Sequence, residues 1–345
     1  MSEMDQIPEL VPSPEQPLPL NPAPPSVLRR IFLNFVELRA GWRFFIFLVI
    51  LMVVSFGANV ALRHVLKAPP KNQPLDLRPG PVLAGDSLSF ALLLGVTAIM
   101  ARLEKRKLRH YGLPLKQAFR GNFWMGSLWG FGAISVLLLT LRADRNFYYG
   151  APELRGWSII HFALLWAITF LIVGLFEEFL LRGYAQFTLT TGMGFWPAAL
   201  LLSLLFAFLH WGNPGETSFG LFQIVLIALF FCFTLWRTGT LWFAVGFHAA
   251  WDWGQSFFYG TPDSGIPARG HLLHSSFAGP HWLTGGSVGP EGSILVAPLI
   301  LLLFVLFYLA FPKQAEYPDP EAIKSAQSLL VPAQRVFAVP PGENF

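Results

Sequence analysis

Long apolar runs, broken by short clusters of charge, glycine and proline, dominate the pattern along this chain. About 18 predominantly apolar residues suffice for a helix to cross about 30 Å of hydrocarbon. Runs near or beyond that length fall at residues 44–61, 83–101, 123–141, 157–190, 195–210, 219–236, 241–258 and 293–311. The expected fold is all-α: a polytopic transmembrane helical bundle of about eight spans, two of them shorter than a full crossing. "TTGMG" at 190–194 and "RTGT" at 237–240 read as turns, because glycines interrupt the apolar pattern and Pro197 suits the first turn of the helix that follows. Residues 1–40 are expected to be a Pro-rich, disordered cytoplasmic tail, since a segment carrying Pro8, Pro12, Pro14, Pro17, Pro19, Pro22, Pro24 and Pro25 cannot bury enough apolar area to fold. Residues 41–312 form the membrane domain, with its core at about 157–260, and residues 313–345 form a C-terminal tail.

Composition strengthens this reading. Of 345 residues, 54% are hydrophobic and 13% charged, and the mean hydropathy is +0.51, well outside the range of soluble globular domains. The single Cys232 excludes a disulfide within the chain and reads as a small buried hydrophobe. No small-residue cleavage site follows the first apolar run, so no signal peptide is expected. The densest basic cluster, Arg102, Lys105, Arg106, Lys107, Arg109, Lys116 and Arg120, is expected in the cytoplasm, and eight spans then place both termini there. Arg29, Arg30, Arg39 and Arg43 agree with that orientation, whereas Arg63, Lys67, Lys71 and Arg78 oppose it. Basic residues facing anionic lipid account for the net charge of +4. Neither a basic patch interleaved with aromatics nor zinc-type Cys pairs are present, so nucleic acid is not an expected partner; membrane lipid is.

Charge inside the greasiest stretch is the feature that calls for chemistry. "VGLFEEFLLRGY", residues 173–184, sets two carboxylates and an arginine where each ionised group costs at least about 2.5–3.5 kcal/mol. Glu178 and Arg182 are i and i+4 in the favourable acid-before-base order, while Glu177 points about 100° away. One carboxylate is therefore neutralised by its own helix and the other is left for a second task. Such a triplet can also serve only to join helices. Further on, "FAFLHWGN" puts His210 at the end of an apolar run, and "GFHAAWDW" puts His248 and Asp252 at i and i+4 on another. Counting from the turn at 190–194, Glu177 and His210 differ in depth by roughly 5 Å, and His248 and Asp252 lie roughly 13–20 Å along their own helix from the turn at 237–240. If both turns face one side, all of these groups converge.

Taken together, "EEFLLR" at 177–182, "FAFLH" at 206–210 and "HAAWD" at 248–252 resemble the EExxxR, FxxxH and HxxxD/N motifs of the CPBP or Abi family of intramembrane proteases, which includes the CAAX prenyl endopeptidases. "LTGGSVGPEGS" at 283–293 also resembles a stretch seen in bacterial members, which makes a bacterial plasma membrane the expected location. The resemblance implies a catalytic chamber within the membrane and hydrolysis of a membrane-anchored or lipidated protein or peptide. By the same resemblance, Glu177 and His210 are the water-activating pair, Glu178 with Arg182 is a brace, and His248 and Asp252 face the substrate carbonyl. The prenyl-protein enzymes usually carry Asn at the last position; an amide donates to an oxyanion, whereas an ionised carboxylate cannot. An ionised Asp252 would orient His248 or help hold a metal, and a protonated one can still donate. Zinc on Glu177, His210 and His248, with Asp252 as a fourth ligand, stays open. No HExxH is present, and no obligatory cofactor is the expectation adopted. Two other functions fit the same residues: a catalytically silent scaffold or immunity-type binding protein, and a proton-coupled transporter, for which no internal repeat is visible. Asp86 is expected at the membrane interface. His64, His110, His161, His271, His274 and His281 are expected to be hydrated, and Trp42, Trp124, Trp157 and Tyr308 to form an aromatic belt.

Overall fold

The computed structural model describes residues 32–33, 38–65 and 76–312, so the expected disordered tail up to residue 31 and the C-terminal tail from 313 lie outside the described residues. The chain divides into two units, one ending at Arg39 and one beginning at Ala40. In the first, Leu33 and Leu38 form an antiparallel bridge.

The second unit is a helical membrane bundle. Its longer helices are α1 (Ala40–Val65), α2 (Pro79–Leu103), α3 (Gly121–Ala143), α4 (Trp157–Arg182), α5 (Tyr184–Met193), α6 (Phe195–His210), α7 (Ser218–Thr238), α8 (Trp242–Asp252) and α9 (Val296–Ala310), and a four-residue helix spans His281–Thr284. A π-helical turn, Trp253–Phe258, continues α8. The only described sheet pairs β1 (Phe147–Tyr148) with β2 (Ser276–Phe277), antiparallel. Helix lies under each of the eight predicted apolar runs. Five stretches, Ala40–Leu62, Pro79–Leu103, Gly121–Ala143, Trp157–Met193 and Ser218–Thr238, are long and apolar enough to cross a membrane, and Phe195–His210 and Val296–Ala310 are shorter.

The run predicted as one span at 157–190 is two helices, because Gly183 leaves the helical conformation between α4 and α5. A Cβ there would stand 2.3 Å from the Phe179 carbonyl oxygen and 2.7 Å from its ring, so the break needs glycine. The predicted turn at 237–240 is present: Gly239 takes the left-handed conformation and donates its N–H to Leu235 O, closing α7.

Helices here pack closely because small residues allow it. A Cβ on Gly126 or Gly130 of α3 would lie 2.1 Å from the carbonyl oxygen of Phe243 or Phe247, and one on Gly246 of α8 would lie 2.1 Å from Phe123 O. In lipid, where apolar surface gives no drive for association, such backbone approach is a main source of helix pairing. On the other side of α8, a Cβ on Gly174 of α4 would lie 3.3 Å from Val245 O and 3.6 Å from the His248 Cβ. Held on both flanks, α8 cannot rotate freely, which fixes where His248 and Asp252 point. Phenylalanines 230, 243, 247 and 307 fill the space between α3, α7, α8 and α9. Met52, Val53 and Phe56 of α1 are more than 60% exposed, as expected of a lipid-facing surface.

Connecting segments separate to two ends of the bundle. Trp196 packs on Trp236 at 5.7 Å between ring centroids, so the turns at Gly194 and Gly239 share an end. The basic 102–122 segment joins them, since Leu241 N donates to Gly112 O and the Trp242 indole to Pro114 O. At the other end Leu77 bridges Ala268, Pro152 bridges Leu273, and Gly215 abuts Ser287.

Candidate active site

Glu178, on the inward face of α4, is fully buried and binds two helices at once. Nη1 of Arg182, one turn on, donates to both of its oxygens at 3.0 Å. The guanidinium in turn lies between the rings of Phe206 (α6) and Phe231 (α7), 5.4 Å from each centroid. From α8, Nδ1 of His248 comes within 3.0 Å of Glu178 Oε1. A carboxylate can only accept, so Nδ1 carries the hydrogen. The predicted brace is thus wider than one helix, because Glu178 also orients the imidazole opposite. Sequence spacing could not show this contact, since its partners are 70 residues apart.

The other edge of the His248 ring faces the remaining acids. Its Nε2 lies 3.6 Å from Glu177 Oε2 and 3.5 Å from Asp252 Oδ2, each longer than a direct charge-assisted hydrogen bond of about 2.7–2.9 Å. The ring stacks on Phe231, with centroids 5.9 Å apart and planes at 17°. His210 occupies the last turn of α6, where Nδ1 donates to Phe206 O at 2.9 Å. That carbonyl consumes the Nδ1 hydrogen and leaves Nε2 of the neutral ring as a lone-pair acceptor. Phe206, read from the sequence as packing beside His210, therefore also sets its tautomer.

Glu177, His210, His248 and Asp252 line one cavity of about 290 Å³, while Glu178 and Arg182 stand behind its wall. Apolar side chains such as Val82, Phe170, Ile224 and Leu303 form much of the rest. Four further acids line it: Asp86, Glu216, Asp263 and Glu291. Asp86, expected at the interface, is instead part of the chamber, because the first turns of α2 turn Val82 and, four residues on, Asp86 toward it. That i, i+4 pairing was a usable signal. Asp263 and Glu291 come from the long connection before α9 and had none, apart from the presence of Glu291 in "LTGGSVGPEGS".

These two loop acids are tied to the π-helical turn. Ser256 Oγ donates to Asp263 Oδ2 at 2.9 Å, Gln255 Nε2 to Glu291 Oε2 at 3.1 Å, and Ser264 N to Glu291 Oε1 at 2.6 Å. Burial raises both carboxyls above their ordinary range, and with Asp263 adjacent Glu291 is pushed up to about 8. Irregular π geometry is frequent at functional sites; here it turns the chain so that the loop closes over the chamber.

Zinc requires several donors within about 2.0–2.2 Å of one point. Glu177, His210, His248 and Asp252 do not bring three ligand atoms to within 4.8 Å of one another as a set. In this arrangement the chamber's donors are therefore spaced more widely than in a closed zinc site.

A family model described as Type II CAAX prenyl endopeptidase Rce1-like matches residues 159–254, which include Glu177, Glu178, Arg182, His210, His248 and Asp252. No curated protein matches the chain. Over residues 159–254 this chain is thus similar to the Rce1-like type II CAAX prenyl endopeptidases, which supports a place in the CPBP/CAAX protease family.

Proposed function

We propose that the chain is an intramembrane endopeptidase in which Glu177 and His210 activate the attacking water, with no obligatory metal. The observation that carries this is the shared cavity: an acid from α4, an imidazole from α6 and an imidazole–carboxylate pair from α8 line one largely apolar chamber. Peptide hydrolysis needs a base within reach of water and a donor for the oxygen on which charge develops. Glu177 takes the water proton as the hydroxyl oxygen bonds to the carbonyl carbon, while His210, whose Nε2 is free to accept, orients the water. His248, held through Nδ1 by Glu178, presents Nε2 to the chamber; when protonated, it donates to the oxyanion. Collapse of the tetrahedral species breaks the C–N bond, and the proton held by Glu177 passes to the leaving nitrogen. Asp252, 3.5 Å from His248 Nε2, orients that ring.

Apolar walls suit a substrate delivered from lipid, either a membrane-anchored protein or a lipidated peptide. The chamber lies toward the end formed by the 263–266 and 288–292 segments, opposite the basic 102–122 segment. With the basic segment cytoplasmic, both termini are cytoplasmic and the chamber opens to the other face.

The test is cleavage of fluorogenic membrane-anchored and lipidated peptides by the detergent-purified protein, with metal content measured alongside. Loss of cleavage in Glu177→Ala and His210→Ala, with folding and metal content unchanged, supports the proposal. Full activity in Glu177→Ala overturns it, and loss of a stoichiometric ion together with activity replaces it with a metalloprotease. No cleavage of any peptide by folded wild type favours the scaffold instead.

A further inference from the structure

Beyond the chamber, Glu153, His271 and His274 bring one ligand atom each to within 4.8 Å of one another. We propose that these three side chains form a divalent transition-metal site, zinc by donor type, that clips the segment before α4 to the loop after the π-helical turn. All three residues lie outside 159–254, the stretch matched by the family model, and the inference does not depend on proteolysis.

Three features build the site. The backbone under it is already paired: Pro152 bridges Leu273, Glu153 N donates to Leu272 O at 2.8 Å, and His274 N donates to Ala151 O at 3.1 Å. The two segments also approach closely, since a Cβ on Gly150 would stand 1.7 Å from His274 O, and the loop itself is folded tightly, since a Cβ on Gly260 would stand 1.8 Å from Leu273 O. His271 is also oriented as a ligand is. His271 Nδ1 donates to Ala268 O at 2.6 Å, which leaves Nε2 as the lone-pair nitrogen, and Nε2 points at the Glu153 carboxylate. A backbone carbonyl on the non-ligating nitrogen is the usual second partner of a metal-binding histidine. The His274 ring lies 5.9 Å from that of His271, the planes at 27°.

Two imidazoles and a carboxylate, with water in a fourth position, make an open zinc site of ordinary composition. Around a tetrahedral ion the donors lie about 3.3–3.5 Å apart, a contraction that side-chain torsions supply. Glu153 is 46% exposed, so ions have access from solvent. The clip has a reach into the chamber: α4, which carries Glu177 and Glu178, begins four residues after Glu153, and the same long loop contributes Asp263 and Ser264 to the cavity wall. In the sequence His271 and His274 look like hydrated loop residues, because their third partner, Glu153, is more than 100 positions away.

The experiment uses the full chain in detergent, purified without a histidine tag and stripped of metal, then titrated with Zn²⁺ and with Co²⁺. The expected result is one saturable Zn²⁺ equivalent, visible Co²⁺ absorption of a four- or five-coordinate site, and a folding equilibrium raised about 100-fold when free Zn²⁺ is 100 times its Kd. His274→Ala and the conservative Glu153→Gln should lose the equivalent and the stabilisation, while Glu177→Ala keeps both. No saturable binding overturns the proposal and leaves a His271–Glu153 ion pair only. Retention in His274→Ala and Glu153→Gln, or loss in Glu177→Ala, overturns it by placing the ion elsewhere. Should His274→Ala fail to fold, Glu153→Gln alone decides.

Discussion

Replacing Arg182 by methionine isolates what the buried ion pair does. The Glu178 carboxylate is 0% exposed and receives two hydrogen bonds from Arg182 and one from His248. Arg182→Met removes the first two and leaves an acid in the bundle with a single partner. Breaking a buried pair in this way costs about 3–5 kcal/mol in soluble proteins. Two effects lower that figure: His248 stays, and polar groups of a chain unfolded in a membrane find other partners, so hydrogen bonds measured there are worth less. About 2–3 kcal/mol is expected, a factor of about 30–160 in the folding equilibrium. Reversible unfolding in mixed micelles, with dodecyl sulfate as denaturant and tryptophan fluorescence as readout, measures it. Adding Glu178→Gln to Arg182→Met removes the stranded charge and should restore at least half of the loss. Cleavage should not recover with stability, because the neutral amide no longer holds His248 Nδ1 by a charge-assisted bond. An Arg182→Met protein within 0.5 kcal/mol of wild type would refute the reasoning; so would a double variant that regains full activity.

Other perturbations test separate parts of the account. Gly246→Val drives a side chain into Phe123 O, which a Cβ already approaches at 2.1 Å; separation of α3 from α8 should cost about 1–3 kcal/mol, readable in the same unfolding assay, and an unchanged midpoint would contradict that packing. Asp252→Asn keeps shape and hydrogen-bonding reach beside His248, so kcat should stay within about 10-fold, whereas Asp252→Leu should fall by about 100-fold or more; equal losses would show that charge, not orientation, is what Asp252 supplies. Glu291 is pushed up to about 8 from an ordinary 4.5, so the folded state holds its proton more tightly than the unfolded state does. Its stabilising contribution is full below about pH 4.5 and is lost as pH rises through about 8. Wild type should therefore lose thermal stability across that window relative to Glu291→Gln, and parallel pH profiles would contradict the assignment.

Much of the bundle was readable from apolar run length alone, because lipid demands continuous helix and few charges. The turn at Gly239 was legible for the same local reason. The break at Gly183 was not, since "LLRGYAQF" continues the apolar pattern and only contact with Phe179 shows that the chain leaves the helix there. The spacing of Gly126 and Gly130 on α3 carried a readable small-residue signal for close packing. In and behind the chamber wall, Glu177, Glu178, Arg182, His210, His248 and Asp252 stand out in the sequence because ionisable residues are costly in membrane. Asp263 and Glu291 do not, because a loop acid is ordinarily hydrated and nothing in its neighbours says that it will be buried. The Glu178–His248 bond and the Glu153, His271, His274 cluster depend on tertiary approach between distant segments, which periodicity does not encode.

The central claim is that Glu177 and His210 act as a unit on one water molecule. Its most direct test is the turnover rate of a cleaved peptide in Glu177→Gln, His210→Ala and the double variant, each confirmed to fold. Groups that serve one step are strongly non-additive. Each single variant should lose about 10²–10⁴-fold in kcat, and the double variant should be no slower than the slower of the two. Losses that multiply, or a single variant that turns over at the wild-type rate, would contradict the claim.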